Sequence, residues 1–226
     1  MNRRTFLRSA GATGLAASSV ATAGCLGSAL DGEPTPGGTP FADHEATVGI
    51  EDQPRKGELG GSVVLAFEDP SCPRCRTFEQ QTVPDIEENL VATGRGAYVV
   101  RTYPVVYPWG DLAVHALEAT YDRDADAFWS LFSHYFARQS SFDSDNVLDR
   151  TAAFLNGETD VDGDAVVADA ESGAYDEAVQ TDLDAGMNAD VGRTTPTVLL
   201  FRDGRYVTRA SGSVSYDVIG TALGVE

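Results

Sequence analysis

Lysine is nearly absent from this chain. Lys56 is the only one in 226 residues, and with arginine included the basic residues number 16 against 35 acidic ones, a net charge of -19. Neutralising a nucleic-acid backbone takes a basic stripe, so that class of partner is excluded. Cysteine is scarce as well, limited to Cys25, Cys72 and Cys75. Three cysteines exclude a disulfide-stapled scaffold, and there is no second cysteine pair to complete a structural zinc site. The histidines His44, His115 and His134 are scattered without ligand spacing, so neither a metal nor a cofactor is expected. No apolar run is long enough to span a bilayer as a stable helix. What is present suffices for a core: 42% hydrophobic residues supports one domain with an insertion, or two small ones.

The acidic residues are dispersed rather than gathered in a patch or tail, as a site for a basic partner would have them. Dispersed carboxylates with arginine retained and lysine lost resemble proteins of extreme halophiles, whose acidic surfaces stay hydrated while salt screens their self-repulsion. At the N-terminus, Asn2-Arg3-Arg4-Thr5-Phe6-Leu7-Arg8 precedes a mild apolar stretch over residues 10–24. Paired arginines before Phe6-Leu7 resemble a twin-arginine export signal; a general-secretory leader or a frayed helix is the plainer alternative. Thr22-Ala23-Gly24-Cys25 resembles a lipobox, at which Cys25 would carry lipid, although Thr22 stands where a large aliphatic is usual. The expected organisation is a signal peptide over residues 1–24, a Gly- and Pro-rich flexible tether over 25–45, and a domain over 46–226 held at the outer face of the cytoplasmic membrane. With Cys25 lipidated, Cys72 and Cys75 remain as one isolated pair.

Residues 62–67 form a short valine-rich run between Gly60-Gly61 and Glu68-Asp69-Pro70, which predicts a buried strand. A helix follows to about residue 90, kinked at Pro84, and a second strand spans 97–103. Strand, helix and strand in this order make a βαβ unit with parallel pairing. Residues 109–187 are helical in pattern throughout. One face carries Leu112, His115, Ala116 and Ala119; another carries Phe128, Leu131, Phe132, Tyr135 and Phe136. Strands return at 197–201 and 206–210 around the hairpin turn Asp203-Gly204, and a last helix covers 213–223. The fold class is α/β: βαβ then ββα, a thioredoxin-fold layout, with a helical insertion at about 108–187 between the halves.

Cys72-Pro73-Arg74-Cys75 falls where the first strand gives way to its helix. A thiol is a poor nucleophile until ionised, and a helix N-terminus supplies unpaired N–H groups and a positive dipole end that favour the thiolate. Two intervening residues let both sulfurs close a disulfide on one turn. Pro73 suits the first turn, where it has no N–H to lose. Arg74 is expected to place a cation by the first sulfur and lower its pKa further. Cys72 is then the exposed attacking sulfur and Cys75 the resolving one, covered by the helix. A permanent disulfide across two residues would tie down almost no chain.

Phe67-Glu68-Asp69 ahead of this motif, with Thr195-Pro196-Thr197 before a late strand, resembles the DsbA-like branch of the thioredoxin superfamily over about residues 47–225, in an exported lipoprotein of haloarchaeal type. The resemblance implies a cis proline at Pro196 lying against the redox pair, with Thr195 offering backbone hydrogen bonds to a bound polypeptide. It implies exchange of disulfides with exported proteins, donated in the oxidising direction, and a redox partner in the membrane. A reductant for cytochrome or copper-site maturation, and a tethered binding module or chaperone, are the alternatives. The chain also departs from its relatives. The buried acid that in many thioredoxin-like proteins stands six residues before the first cysteine, and relays a proton to the resolving thiol, is replaced by Ala66, and Glu68, on the same strand face, could substitute, an exposed loop acid being the plainer reading. Arg74 stands where an aromatic or histidine is common. The aromatic stripe from Phe128 to Phe136 is expected in the core rather than along a substrate groove, and nothing in the sequence locates Trp109 relative to the site.

Overall fold

The computed structural model describes residues 38–225. The signal peptide, Cys25 and the first part of the tether lie outside them. A five-stranded sheet runs in the order β1-β3-β2-β4-β5, with β1 Arg55–Lys56, β2 Ser62–Glu68, β3 Gly96–Thr102, β4 Thr197–Arg202 and β5 Arg205–Ser211. β2 pairs in parallel with β3 and antiparallel with β4. Every residue of β2 and β3 is buried, which is why their sequences read as continuous apolar runs rather than alternating ones. The pleat divides them between two cores. Val64, Ala66, Tyr98 and Val100 face one; Val63, Leu65, Phe67, Ala97 and Val99 face the other.

The helix after β2 is broken: α1 spans Pro73–Gln81, α2 spans Val83–Ile86, and a π turn covers Glu87–Val91. The break lies at Thr82, not at Pro84. Pro84 occupies the first turn of α2, where it has no bond to lose, while the Thr82 hydroxyl leaves the helix to donate to the Val214 carbonyl at 2.8 Å. Between β3 and β4 come α3 Pro108–Tyr121, α4 Ala125–Ala137, α5 Val147–Glu158, α6 Gly163–Ser172 and α7 Asp176–Asn188. Phe128, Leu131, Phe132, Tyr135 and Phe136 of α4 are all buried in the first core, as expected. On α3 Ala116 and Ala119 are buried as expected, together with Ala113, Val114, Leu117 and Thr120, while Leu112 and His115 are only partly buried. His115 contacts Asp176 at 3.0 Å, and His134 stacks on Phe154. The β4–β5 turn has φ 53° at Asp203 and 71° at Gly204, the twist a two-residue hairpin requires. α8 spans Tyr216–Leu223.

Residues 38–45, expected as tether, pack on this hairpin instead. Phe41 N–H donates to the Gly204 carbonyl at 2.8 Å, Tyr206 N–H donates to Thr39, and the Phe41 ring meets Phe201. The packed domain thus begins by residue 38 rather than at 46. Behind the sheet, the buried Arg101 donates to Asp182 of α7 at 2.5 Å and to the carbonyls of Ala46 and Val48, tying β3, α7 and the N-terminal segment together. Among the described residues no helix is long and apolar enough to cross a membrane.

Candidate redox site

β2 runs out through Glu68-Asp69-Pro70-Ser71 into α1, whose N-cap is Cys72 and whose first turn holds Pro73. Both cysteines are free thiols. Cys75 is fully buried as expected, but Cys72 is not exposed: only 2% of its surface is open. The cause is the chain before β4. The Thr195–Pro196 peptide is cis, and the Cys72 Sγ lies 3.3 Å from the Thr195 carbonyl oxygen. From the helical insertion, the Gln139 amide donates to the carbonyls of Pro70 at 2.8 Å and Cys72 at 2.9 Å. The site is therefore built from three stretches far apart in sequence, and Gln139 carried no signal in the sequence because a surface glutamine is the commonest kind.

The two thiols are displaced in opposite directions. Cys72 is lowered to about 5, chiefly by a hydrogen bond from the Cys75 thiol, and further by Thr195 and by the N–H groups of Cys75 and Arg74, against the cost of burial. The Thr195 hydroxyl is buried and makes no hydrogen bond within the described residues, which leaves its proton available to this thiolate. Arg74 is exposed, and what it contributes to the sulfur is its main-chain N–H at the helix start rather than the charge expected of its guanidinium. Burial pushes Cys75 well above an ordinary thiol, and the charges of Glu68 and Cys72 add to it. Ultraviolet absorbance of the reduced chain carrying Cys25→Ser should accordingly show one thiolate forming with a midpoint near pH 5 and a second only in strong alkali. A single step near pH 8 to 9 would contradict this asymmetry.

Glu68 is not an exposed loop acid. It ends β2, is fully buried on the face of Ala66, and receives a hydrogen bond from the Tyr98 hydroxyl at 2.5 Å. Burial, with the neighbouring Glu79 and the Cys72 charge, raises its pKa well above the usual carboxylate range.

Asp69 was not singled out by the sequence, yet it organises the whole turn. Oδ1 accepts from the Ser71 N–H at 2.7 Å and hydroxyl at 2.6 Å; Oδ2 accepts from the N–H groups of Val105 at 2.8 Å and Val106 at 2.7 Å. Ser71 Oγ in turn accepts from Tyr107 N–H at 3.0 Å. The redox turn is thereby fixed to the loop that leads into α3. Gly110 packs so closely here that a Cβ would fall 2.6 Å from Asp69 Oδ1 and 2.8 Å from Ser71 Oγ. Beside the turn lies a mostly apolar cleft of about 580 Å³, with Ser71 and Pro73 on one side and Tyr107, Trp109, Gln139 and Phe142 on the others. Trp109, unplaced by the sequence, thus forms one wall of it.

Comparison with known proteins agrees with this geometry. A family model described as Thioredoxin matches residues 51–217. The chain is 28% identical over 95 residues to a probable disulfide bond formation protein D of Bacillus cereus, covering 42% of this chain and 41% of that one. It thus spans about two-fifths of the length of the curated relatives it matches. Oxidised BdbD of Bacillus subtilis superposes with a TM-score of 0.65 at 19% identity, over 87% of this chain and 99% of BdbD. Alpha-DsbA1 of Wolbachia pipientis gives 0.63 at 18% identity, over 76% and 91%. At such identities these two likenesses speak for the fold.

Proposed function

Because the chain belongs to the thioredoxin family, with the fold seen in DsbA-type proteins, we propose that it is a protein thiol–disulfide oxidoreductase acting through Cys72 and Cys75. The observation that carries this reading is the placement of two free thiols one helical turn apart at the start of α1, Cys72 against the Thr195 carbonyl and Cys75 fully buried. Cys72 is the sulfur that bonds the substrate, attacked by its thiol when a disulfide is donated and attacking when one is taken up, and Cys75 is the sulfur that leaves or resolves. A substrate thiol enters by the cleft, meets Cys72 beneath Thr195–Pro196, and lines its backbone along that loop. Pro73 and the N–H groups of Arg74 and Cys75 sustain the thiolate.

The direction we favour is oxidation. A thiolate stabilised to a pKa of about 5 favours the reduced, folded form. The contribution is fully present above the ordinary thiol range and is lost as pH falls through 5. At pH 7 it is worth on the order of 3 kcal/mol, or about 60 mV toward an oxidising potential. The substrates are then reduced exported proteins, and a membrane redox partner returns the pair to the disulfide. Export by the leader, lipidation of Cys25 and life in high salt complete the reading, supported by Arg3-Arg4, by the sequence ahead of Cys25 and by the dispersed acidic surface. The test is the potential of the Cys72/Cys75 couple, equilibrated against glutathione. A value well above thioredoxin's, which is about -270 mV, is expected. A value at or below it would reject donation and leave a reductant.

A further inference from the structure

Cys75 must lose a proton to resolve a mixed disulfide and regain one when the pair is reduced, yet it is fully buried. We propose that Glu68, Tyr98 and Glu79 form the path by which that proton crosses between the interior and solvent, with Glu79 beside Lys56 as its outer end. The proposal rests on the exchange reading above and extends it.

The fold places these groups in line. Glu79 is one turn beyond Cys75 on α1, at the spacing that puts both on one helix face. Facing that stripe across the first core, Glu68 of β2 and Tyr98 of β3 project from the same side of the sheet. The Tyr98 hydroxyl lies 2.5 Å from Glu68 Oε1 and 2.6 Å from Glu79 Oε1. A phenol has one proton and cannot donate to both oxygens at once, and two carboxylates so close in a buried setting cannot both ionise. One proton is therefore shared between the acids. Glu68 Oε2 is buried with no hydrogen-bond partner, an acceptor left open on the inner side. At the other end Glu79 is half-buried; burial raises its pKa too, though less than that of Glu68, and Lys56, paired with Glu87 at 2.5 Å and seated 4.4 Å over the Trp129 ring, pulls it back toward the charged form. The ionisable groups acting on the cluster are Cys72 and Cys75 from α1, Lys56 from β1 and Glu87 from the π turn.

In the resting reduced state Glu68 is neutral and Glu79 carries the charge. Glu68 passes its proton through Tyr98 to Glu79, and its freed carboxylate takes the proton of Cys75. The Cys75 thiolate then attacks the Cys72 sulfur of the mixed disulfide, forming the Cys72–Cys75 bond, and the substrate sulfur leaves with the electron pair of the broken bond and is protonated by solvent. Glu79 releases its proton outward. In the opposite direction every transfer reverses.

The test mixes the reduced chain, with Cys25→Ser in parent and variants alike, with excess of a symmetrical aromatic disulfide whose released thiol is coloured. The first release depends on reagent concentration and reports attack by Cys72. The second does not, and reports Cys75. Tyr98→Phe and Glu79→Gln should each slow the second release about tenfold or more, with its pH dependence displaced, and leave the first release and the Cys72 titration in place. Glu68→Gln should slow it at least as much. An intact first release shows that each variant is folded, which a loss of packing alone would not spare; should Tyr98→Phe fail to fold, Glu79→Gln decides. Second releases in both outer variants within about twofold of the parent chain would overturn the path, leaving Glu68 to act alone. Absence of any second release from the parent chain would overturn the exchange reading itself.

Discussion

Cys75→Ser is expected to hold substrate proteins as stable mixed disulfides through Cys72, whereas Cys72→Ser should hold none and lose activity by about a thousandfold or more. The asymmetry follows from the site. With its pKa at about 5, Cys72 is almost wholly thiolate at pH 7. Cys75 is fully buried and displaced well above an ordinary thiol, so it is almost wholly protonated and cannot reach a partner. Because the thiolate is the attacking species, the fraction ionised separates the two by at least about a hundredfold before access is counted. Without Cys75 the adduct on Cys72 has no neighbour to resolve it. Non-reducing gels after an acid quench, with the trapped bands lost on adding dithiothreitol, check this. Equal trapping by both variants would show that the two sulfurs are interchangeable.

Asp69→Ala should be among the most damaging substitutions outside the cysteines. The carboxylate satisfies three main-chain N–H groups, that of Ser71 buried and those of Val105 and Val106 partly so, and the Ser71 hydroxyl. A buried donor left unpaired costs about 1 to 3 kcal/mol, and because the loops can relax the costs do not add. A loss of about 3 to 5 kcal/mol is expected, which for a domain of this size lowers Tm by about 10 °C or more. Asp69→Asn keeps the shape and part of the acceptor capacity and should recover about half. The damage should reach substrates too, because the same carboxylate holds the loop that carries Tyr107 and Trp109 along the cleft. A calorimetric Tm for Asp69→Ala within 2 °C or so of the parent would show that the bracket is dispensable.

Much of this was legible in the sequence, for reasons that differ by element. β2, β3 and the Asp203-Gly204 hairpin announce themselves through local chemistry: valine-rich runs between glycines, and a turn pair suited to left-handed backbone. The Cys72-Pro73-Arg74-Cys75 turn and Thr195-Pro196 were readable because each needs particular residue types at fixed spacing. What escaped depends on contacts between distant segments. The exposure expected of Cys72 failed because the chain 123 residues later lies over it. Arg74 was assigned a charge effect, whereas it reaches the sulfur through its main-chain N–H. Asp69, Gln139 and Trp109 are ordinary residues until the tertiary fold brings them to the turn. The tether boundary failed likewise: residues rich in Gly and Pro look mobile until the exposed hairpin offers Phe41 a partner in Phe201.

In a pleated strand a two-residue step moves a side chain about 7 Å and returns it to the same face. An acid can therefore migrate during descent from the position of Ala66 to that of Glu68 and still look onto α1, whereas the intervening Phe67 belongs to the opposite core. Such a move succeeds only if a second group meets the acid at its new height, and here Tyr98 does so from the adjoining strand, with Glu79 beyond it. In this chain it is thus the face of β2 looking onto α1, rather than one height along it, that an acid must occupy to meet Tyr98 and Glu79.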